Sequence, residues 1–242
     1  EDADEVAYAL QLCRERKPAG IMFLGGDRKQ FRSQFQGITI PCVLLTNIAG
    51  DLGFDNLSSV TTDDREASRQ AVRFLASRGH RHIGMLGGNW SCFQIGHSRF
   101  LGCAQACQEL GLPFDGERQC EPCRYSLMDG YEAAKRLLGR CPELTAIFAV
   151  SDVMAMGTVR ALQDLGKRVP EDISVLGYDG IALADYFVPR LATVRQDTQR
   201  MAERGVDVLL RNIERPNRPF HEVVPFQLIP GESVACIPSH DG

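Results

Sequence analysis

Several features that mark particular protein classes are absent from this 242-residue chain. No stretch approaches the roughly 18 consecutive apolar residues of a membrane-spanning helix, so no membrane partner is expected. Basic residues are not in excess, because 27 lysines and arginines stand against 31 aspartates and glutamates and the formal net charge is −4. A surface that contacts DNA is normally basic. If nucleic acid is a partner, we therefore expect another segment to contact it.

The short motifs of common catalytic sites are also missing. The sequence contains no G-x-S-x-G nucleophile elbow, no Walker phosphate loop and no H-E-x-x-H zinc motif. The glycine pairs Gly25-Gly26 and Gly87-Gly88 lack the G-x-G-x-x-G fingerprint of a dinucleotide site. A hydrolase or a sugar kinase would need a nucleophile or a phosphate loop. We predict that the chain is not an enzyme and uses no cofactor or metal.

The nine cysteines do not form an evident disulfide or zinc framework. Their number is odd, and most of them, such as Cys42, Cys103 and Cys236, lie in apolar runs typical of core or helix-face positions. Cys120 and Cys123 have C-x-x-C spacing, but no second pair completes four zinc ligands. Reduced thiols in a cytoplasmic protein are the favoured interpretation, and redox or zinc chemistry is the alternative.

Short β-rich runs alternate with longer helical patterns along most of the chain. The predicted strands are 20–24, 42–46, 59–61, 83–87, 146–150 and 173–177. The predicted helices are 3–16, 65–78, 98–110, 129–139, 152–165 and 198–211. This rhythm indicates βαβ units, hence an α/β fold with a mainly parallel sheet flanked by helices. The tail 220–237 is predicted to be extended and to be broken by prolines.

Turn and cap signals agree with these elements. Ser126 followed by Asp129 resembles a helix-capping box, although its last member is Asp rather than Glu or Gln. Gly79, Gly111 and Gly166 each follow a predicted helix, where a left-handed residue is often needed.

Six blocks of sequence carry a family pattern. They are TDD (62–64), RGHRHIG (78–84), RFLG (99–102), AIFAVSDVMAMG (146–157), VPEDISVLGYD (169–179) and PRLATVRQD (189–197). With these blocks, the chain from about 20 to 234 resembles the LacI/GalR family of transcriptional regulators. One departure is Gly231-Glu232-Ser233, where the family usually has Arg-x-Ser.

The resemblance implies a two-lobed, periplasmic-binding-protein-like (type I) fold with a small ligand bound between the lobes. Residues 1–78 and 198–225 would form the N-terminal lobe, and residues 79–197 and 226–242 the C-terminal lobe. The N-terminal lobe is expected to be incomplete, because the family's first strand, first helix and second strand have no counterpart in this sequence. The family's DNA-binding helix-turn-helix head also has no counterpart in this sequence, so DNA would be bound through a segment absent from it.

Candidate ligand-binding residues fall near the carboxyl ends of predicted strands, where open parallel sheets bind ligands. By the resemblance, Arg99 and Asp179 would hydrogen-bond the effector and Tyr125 would cover a sugar face. Arg99 is expected in the first turn of its helix, where a cation opposes the helix dipole; the alternative is an ordinary surface arginine. The remaining candidates are Ser151 (a shorter substitute for the family's Asn), Asp152, Gln196, Trp90, Phe93, Asp63 and Glu66.

Structural alternatives remain open for several of these candidates. Asp152 opens a helix and could be a cap, and Asp63 with Glu66 could be a capping pair. Trp90 and Phe93 could equally belong to a core.

The function predicted on these grounds is the effector-binding and dimerisation core of a LacI/GalR-type repressor. A small polar effector, a sugar or sugar derivative, would change the relative arrangement of the lobes in a cytoplasmic homodimer and so control operator binding. By the resemblance, the dimer interface would include Tyr186, Phe187, Val188 and the helix that begins at Asp152; the alternative is that these residues are buried within the lobe. The alternative is a periplasmic sugar-binding protein of a transporter. We expect Arg99→Ala and Asp179→Asn to abolish effector binding and to leave the fold intact.

Overall fold

The computed structural model describes residues 4–87, 95–215 and 218–237. Its helices are α1 (Glu5–Arg16), α2 (Arg28–Gln34), α3 (Asp64–Ser77), α4 (Ile95–Glu109), α5 (Gly116–Gln119), α6 (Leu127–Arg140), α7 (Asp152–Asp164) and α8 (Thr198–Glu214). Its strands are β1 (Ile21–Leu24), β2 (Cys42–Leu45), β3 (Leu57–Thr62), β4 (Ile83–Leu86), β5 (Cys120–Glu121), β6 (Ala146–Ala149), β7 (Ser174–Asp179), β8 (Ala192–Gln196), β9 (His221–Val224) and β10 (Phe226–Ile229).

The chain divides into two compact units. Unit 1 comprises Glu1–Asp63 and Asp197–Pro225, and unit 2 comprises Asp64–Gln196 and Phe226–Gly242. Each unit contains one sheet with helices packed against it, as expected for alternating strands and helices. None of the helices that the structure describes is long and apolar enough to cross a lipid bilayer.

Unit 1 is built on a four-stranded parallel sheet of order β1-β2-β3-β9. Alternate residues of β2 face opposite sides of this sheet, as a strand requires. Cys42 and Leu44 join a cluster that contains Phe31 of α2, while Val43 and Leu45 join a second cluster. The second cluster includes residues of α8. Both faces of the strand are therefore buried, which explains its uninterrupted apolar sequence.

Unit 2 is built on a six-stranded sheet of order β10-β8-β7-β6-β4-β5. Its strands are parallel except for the β10–β8 pair, which is antiparallel. One large core of buried side chains surrounds this sheet. Parallel β6, β7 and β8 bring their carboxyl ends to one edge of the sheet, which positions the candidate site.

The predicted alternation of strands and helices is present, with differences at particular elements. Helix α2 was not predicted, because Phe31 is the one apolar side chain in its seven residues and no periodicity is visible. Strand β8 (Ala192–Gln196) was not among the predicted strands. The expected boundary placed residues 64–78 in the N-terminal lobe, whereas α3 belongs to unit 2. Helix α3 does so because its apolar face (Ala67, Ala71 and Leu75) is buried in the core of unit 2.

The predicted caps are confirmed. The Ser126 hydroxyl accepts a hydrogen bond from the Asp129 amide at 3.0 Å. Gly79, Gly111 and Gly166 have φ values of 91°, 62° and 72°. Because L-residues with a side chain rarely adopt this left-handed region, glycine suits the helix ends.

The eight cysteines among the described residues are free thiols, and Cys92 lies outside those residues. Burial raises the pKa of the Cys42 thiol to about 12. Cys236 is exposed rather than in the core as predicted, because it lies in the C-terminal segment, where its sulfur accepts a hydrogen bond from Arg78. Within the described ranges, no group of three or more His, Cys, Asp or Glu side chains is placed to hold a metal ion.

Candidate functional site

A cluster of polar side chains lies at the carboxyl edge of the unit 2 sheet, and the buried arginine Arg99 is at its centre. The side chain of Arg99 is 4% exposed. Its Nε donates to Oδ1 of Asp64 at 2.8 Å, and its Nη1 donates to the carbonyl oxygen of Val150 at 2.5 Å. The guanidinium carbon lies 3.7 Å from the centroid of the Tyr178 ring. Burial alone would lower the pKa of Arg99, but the neighbouring Asp64 raises it, so the guanidinium stays charged.

Asp64 is the carboxylate that neutralises Arg99. It is the first residue of α3 and is 7% exposed. Its Oδ1 also accepts a hydrogen bond from the Tyr178 hydroxyl at 2.8 Å. One oxygen thus connects the start of α3, the guanidinium on α4 and the phenol on β7. A buried ion pair of this kind is stable only when further hydrogen bonds complete it, and Tyr178 provides one.

Asp179 ends β7 beside this pair, and its Oδ1 lies 3.9 Å from Nη1 of Arg99. The Gln196 amide donates to the same oxygen at 3.0 Å, and the Ser151 hydroxyl also hydrogen-bonds this carboxylate. The Asp179 side chain remains 30% exposed. Burial raises the pKa of this carboxyl, although Arg99 partly offsets the effect. Asp179 is therefore a partly open acceptor that neutral donors hold in place.

The backbone at Asp179 is in an uncommon conformation, with φ of 110°. Residues other than glycine seldom adopt positive φ, and such strain is often found at functional sites. Asp152 supports the turn that follows. Its side chain is fully buried, its Oδ2 accepts from the Ile181 amide at 2.8 Å and its Oδ1 accepts from the Thr193 hydroxyl at 2.6 Å. Burial raises the pKa of Asp152 to about 6.

The geometry of Asp152 differs from the predicted direct contact with a ligand. Both of its carboxylate oxygens are occupied by groups of the protein, and the residue has no exposed surface. Gly177 leaves the space that this carboxylate fills, because a Cβ at Gly177 would lie 2.3 Å from Asp152 Oδ1. Asp152 therefore fixes the turn after Asp179 and does not face a ligand.

Tyr125, in the segment between β5 and α6, is 48% exposed. Burial of its hydroxyl raises the pKa of the phenol, while the positive charge of Arg99 lowers it. The negative charges of Asp64 and Asp179 also act on it, so the hydroxyl lies close to the cluster. About half of the Tyr125 surface is thus exposed close to these charged groups.

A cavity of about 690 Å³ lies elsewhere in unit 2. Its lining includes His97, Phe100, Cys120 and Arg140, from α4, β5 and α6. Neither Arg99 nor Asp179 contributes to it. The polar cluster around Arg99 and this cavity are therefore separate features of unit 2.

Sequence and structure comparisons identify relatives of this chain. The profile of the periplasmic binding protein-like domain matches residues 55–234. The HTH-type transcriptional regulator MalR of Clostridium butyricum is 30% identical over 237 residues, which cover 95% of this chain and 68% of the relative. The HTH-type transcriptional repressor PurR of Yersinia pestis (strain Pestoides F) is 35% identical over 238 residues, 97% of this chain and 68% of the relative.

A LacI family transcriptional regulator from Enterococcus faecium, solved with bound ribose, has a TM-score of 0.79 and 25% sequence identity. This match covers 98% of the present chain and 86% of that one. The chain belongs to the LacI/GalR family. It spans about two thirds of the length of the two curated relatives, 68% in each case. The fold is the periplasmic-binding-protein-like fold, as the sequence predicted.

Several of the residues predicted from the LacI/GalR resemblance come together in the structure. Arg99, Asp179, Ser151, Gln196 and Tyr125 all belong to the cluster described above. Arg99 is the fifth residue of α4 and so lies beyond the first turn in which it was expected.

The other predicted residues of this LacI/GalR chain are in different settings or outside the described part of the chain. Asp63 is exposed and is the last residue of the first segment of unit 1. The carboxylate of Glu66 accepts hydrogen bonds from Arg69 at 2.7 Å and 2.9 Å and from Gln70 at 3.0 Å, all within α3. Trp90 and Phe93 lie outside the described residues.

Sequence reasoning missed Asp64 and Tyr178. Asp63 and Asp64 are adjacent acidic residues, and the sequence analysis favoured Asp63. A usable signal existed, because α3 starts at Asp64 and the apolar positions Ala67, Ala71 and Leu75 lie at helical spacing from it. Asp64 therefore belongs to the buried face of that helix, which Asp63 precedes.

Proposed function

We propose that this chain is the effector-binding part of a LacI/GalR-type transcriptional repressor and that its effector is a small polar molecule, a sugar or a sugar derivative. The observation that carries the proposal is the pairing of buried Arg99 with partly open Asp179, 3.9 Å apart, at the carboxyl edge of a parallel sheet. Ligands of open α/β sheets bind at this edge. Membership of the LacI/GalR family and the ribose complex of a related regulator support the same assignment.

The chemistry of the cluster suits hydroxyl groups. Asp179 offers carboxylate oxygens as acceptors. The Arg99 guanidinium, whose Nε and Nη1 donate to Asp64 and Val150, would donate to a ligand hydroxyl through a remaining N–H group. The exposed ring of Tyr125 would pack against the C–H face of a sugar. Gln196 and Ser151 would hold Asp179 and contact the ligand at its edge. Asp152 would act as a positioning residue.

In this proposal the effector changes the equilibrium between two arrangements of a cytoplasmic homodimer, and a helix-turn-helix segment carries the change to DNA. The effector can shift that equilibrium only by its difference in affinity for the two arrangements. Tyr186 and Val188, which are 84% and 82% exposed, are the apolar side chains we propose at the dimer interface. Phe187 packs partly against the core of unit 2.

A transporter-associated sugar-binding protein is the rival function, since it would use the same fold. The two curated relatives named above are HTH-type transcriptional regulators, which favours repression and a role other than catalysis. The free thiols, such as Cys42 and Cys103, also favour a reducing compartment.

Titration calorimetry with a panel of uncharged sugars that includes ribose tests the proposal. Asp179→Asn should weaken the binding of the best sugar by about 10-fold or more, the worth of a hydrogen bond to a charged group. Asp164→Asn is the matched control, because Asp164 hydrogen-bonds Tyr131 on another part of unit 2 and should leave affinity unchanged. Equal affinity of wild type and Asp179→Asn would refute the proposed site.

A further inference from the structure

The carboxylates at the site outnumber the cation. Asp64, Asp152 and Asp179 all lie in the cluster, and Arg99 is the cation that the structure places against them. The negative charge of Asp179 acts on Asp152, which is itself buried. The cluster thus carries an excess of negative charge in a poorly solvated position.

The charge of Arg99 is already neutralised before any ligand binds. Its Nε forms a 2.8 Å ion pair with Asp64, and its Nη1 donates to the Val150 carbonyl. The separation from Asp179 is 3.9 Å, longer than a hydrogen bond. Asp179 is instead held by the uncharged donors Gln196 and Ser151.

A second arginine nearby does not change this balance. Arg195 is the register partner of Asp179 on β8, but its Nη2 donates to both carboxylate oxygens of Asp185 at 2.9 Å and 3.1 Å. Its charge is therefore matched by another carboxylate. Among the described residues, Arg99 and Arg195 are thus each paired with a carboxylate, and an anionic group beside Asp179 would meet a like charge.

We propose that this site selects an uncharged, hydroxyl-rich effector and rejects the phosphate ester or the acid of the same sugar, because Arg99 is paired with Asp64 while the Asp179 carboxyl lies beyond hydrogen-bond distance of the guanidinium. The inference rests on the proposed function and narrows its ligand class. Hydroxyl groups can donate to Asp179 and accept from Arg99, whereas a phosphate can only accept and adds like charge. Discrimination of this kind arises as much from repulsion of the wrong ligand as from attraction of the right one.

Matched ligand pairs provide the first test. Calorimetry at constant ionic strength would compare ribose with ribose 5-phosphate and glucose with glucose 6-phosphate. Each ester should bind at least about 10-fold more weakly than its free sugar, since like charges repel strongly in a partly buried site. Asp64→Asn should reduce that ratio by freeing the charge of Arg99. An ester that binds wild type as tightly as its free sugar, or more tightly, overturns the inference.

The second test needs no ligand. An ionised Asp179 that faces excess negative charge costs stability, so Asp179→Asn should raise the Tm of the ligand-free chain by about 1–3 °C. The gain should shrink as the pH is lowered, because the wild-type carboxyl then takes up a proton. Asp164→Asn, which removes an acceptor for Tyr131 and Arg160, should give no gain. A Tm of Asp179→Asn equal to or below that of wild type would contradict the excess of charge.

The two tests separate this inference from the proposed function. If sugars bind and their esters bind equally well, the sugar-binding function stands and the charge argument fails. If none of the sugars binds while Asp179→Asn gains stability, the charge argument stands and the proposed sugar function fails.

Discussion

At the scale of single residues, Arg99 is held by three groups at once: a carboxylate, a backbone carbonyl and an aromatic face. These contacts predict that Arg99→Ala also destabilises the fold, in contrast to the expectation drawn from the sequence. Removal of the guanidinium would leave Asp64 buried without its partner, and such a loss costs about 3–5 kcal/mol of folding free energy. Asp179→Asn keeps the shape of the side chain and is the better probe of binding.

The buried carboxyl of Asp152 makes the free energy of unfolding depend on pH. Burial disfavours the charged form and raises the pKa of Asp152 to about 6 in the folded chain, above the ordinary value of 3.8. The native state therefore holds its proton more tightly than the unfolded state. The stabilisation that comes from this tighter proton binding is fully present below about pH 4 and is lost as the pH rises through 6.

Urea unfolding of wild type and Asp152→Asn at several pH values measures this effect. Between about pH 4 and pH 7, wild type should lose about 2–3 kcal/mol relative to the variant, the equivalent of two pKa units. A stability difference that is the same at every pH would show that Asp152 titrates normally.

The buried carboxylates also show where sequence reasoning stops. The LacI/GalR pattern led to Arg99 and Asp179, which are neighbours in the structure. The same pattern did not separate Asp64 from Asp63, because both are adjacent aspartates and only the start of α3 decides which one is buried. Nor could it show that Asp152 has both oxygens occupied, since Ile181 and Thr193 are distant from it in sequence.

At the scale of elements, Gly177 links β7 to α7 through the space it leaves for Asp152. Gly177→Ala would place a Cβ 2.3 Å from Asp152 Oδ1 and 3.0 Å from Leu191. We expect this substitution to lower the free energy of unfolding by about 1–3 kcal/mol, the usual cost of overpacking. It should also weaken sugar binding, because Asp152 fixes the turn after Asp179.

Gly139→Ala is the control for this experiment. Gly139 lies near the end of α6, and a Cβ there would have nothing within 4 Å. Alanine should therefore stabilise the helix by about 0.5–1 kcal/mol. Equal effects of the two substitutions in urea unfolding would contradict the close contact at Gly177.

The elements themselves were predictable to different degrees. Strands β2, β4 and β6 are short apolar runs buried on both faces, so composition alone indicates them. Helix α2 has too few apolar residues to show a period. The membership of α3 in unit 2 depends on which core buries its apolar face, a tertiary contact that the sequence does not display.

At the scale of the whole molecule, the acidic composition agrees with the proposed role in effector binding, since a surface that contacts DNA is normally basic. The fold was predictable because a specific family pattern extends over most of the chain and the alternation of strands and helices agrees with it. The full set of site residues was not predictable, because the site depends on contacts between α3, α4, β7 and β8, which are distant in sequence.

The most direct test of the central claim is a crystal structure of this chain with the sugar that binds most tightly in calorimetry. The account predicts sugar hydroxyls within hydrogen-bond distance of the Asp179 carboxylate and the Arg99 guanidinium, with the ion pair between Arg99 and Asp64 retained. A sugar bound instead in the cavity lined by His97, Phe100 and Arg140, with Asp179 uncontacted, would contradict it.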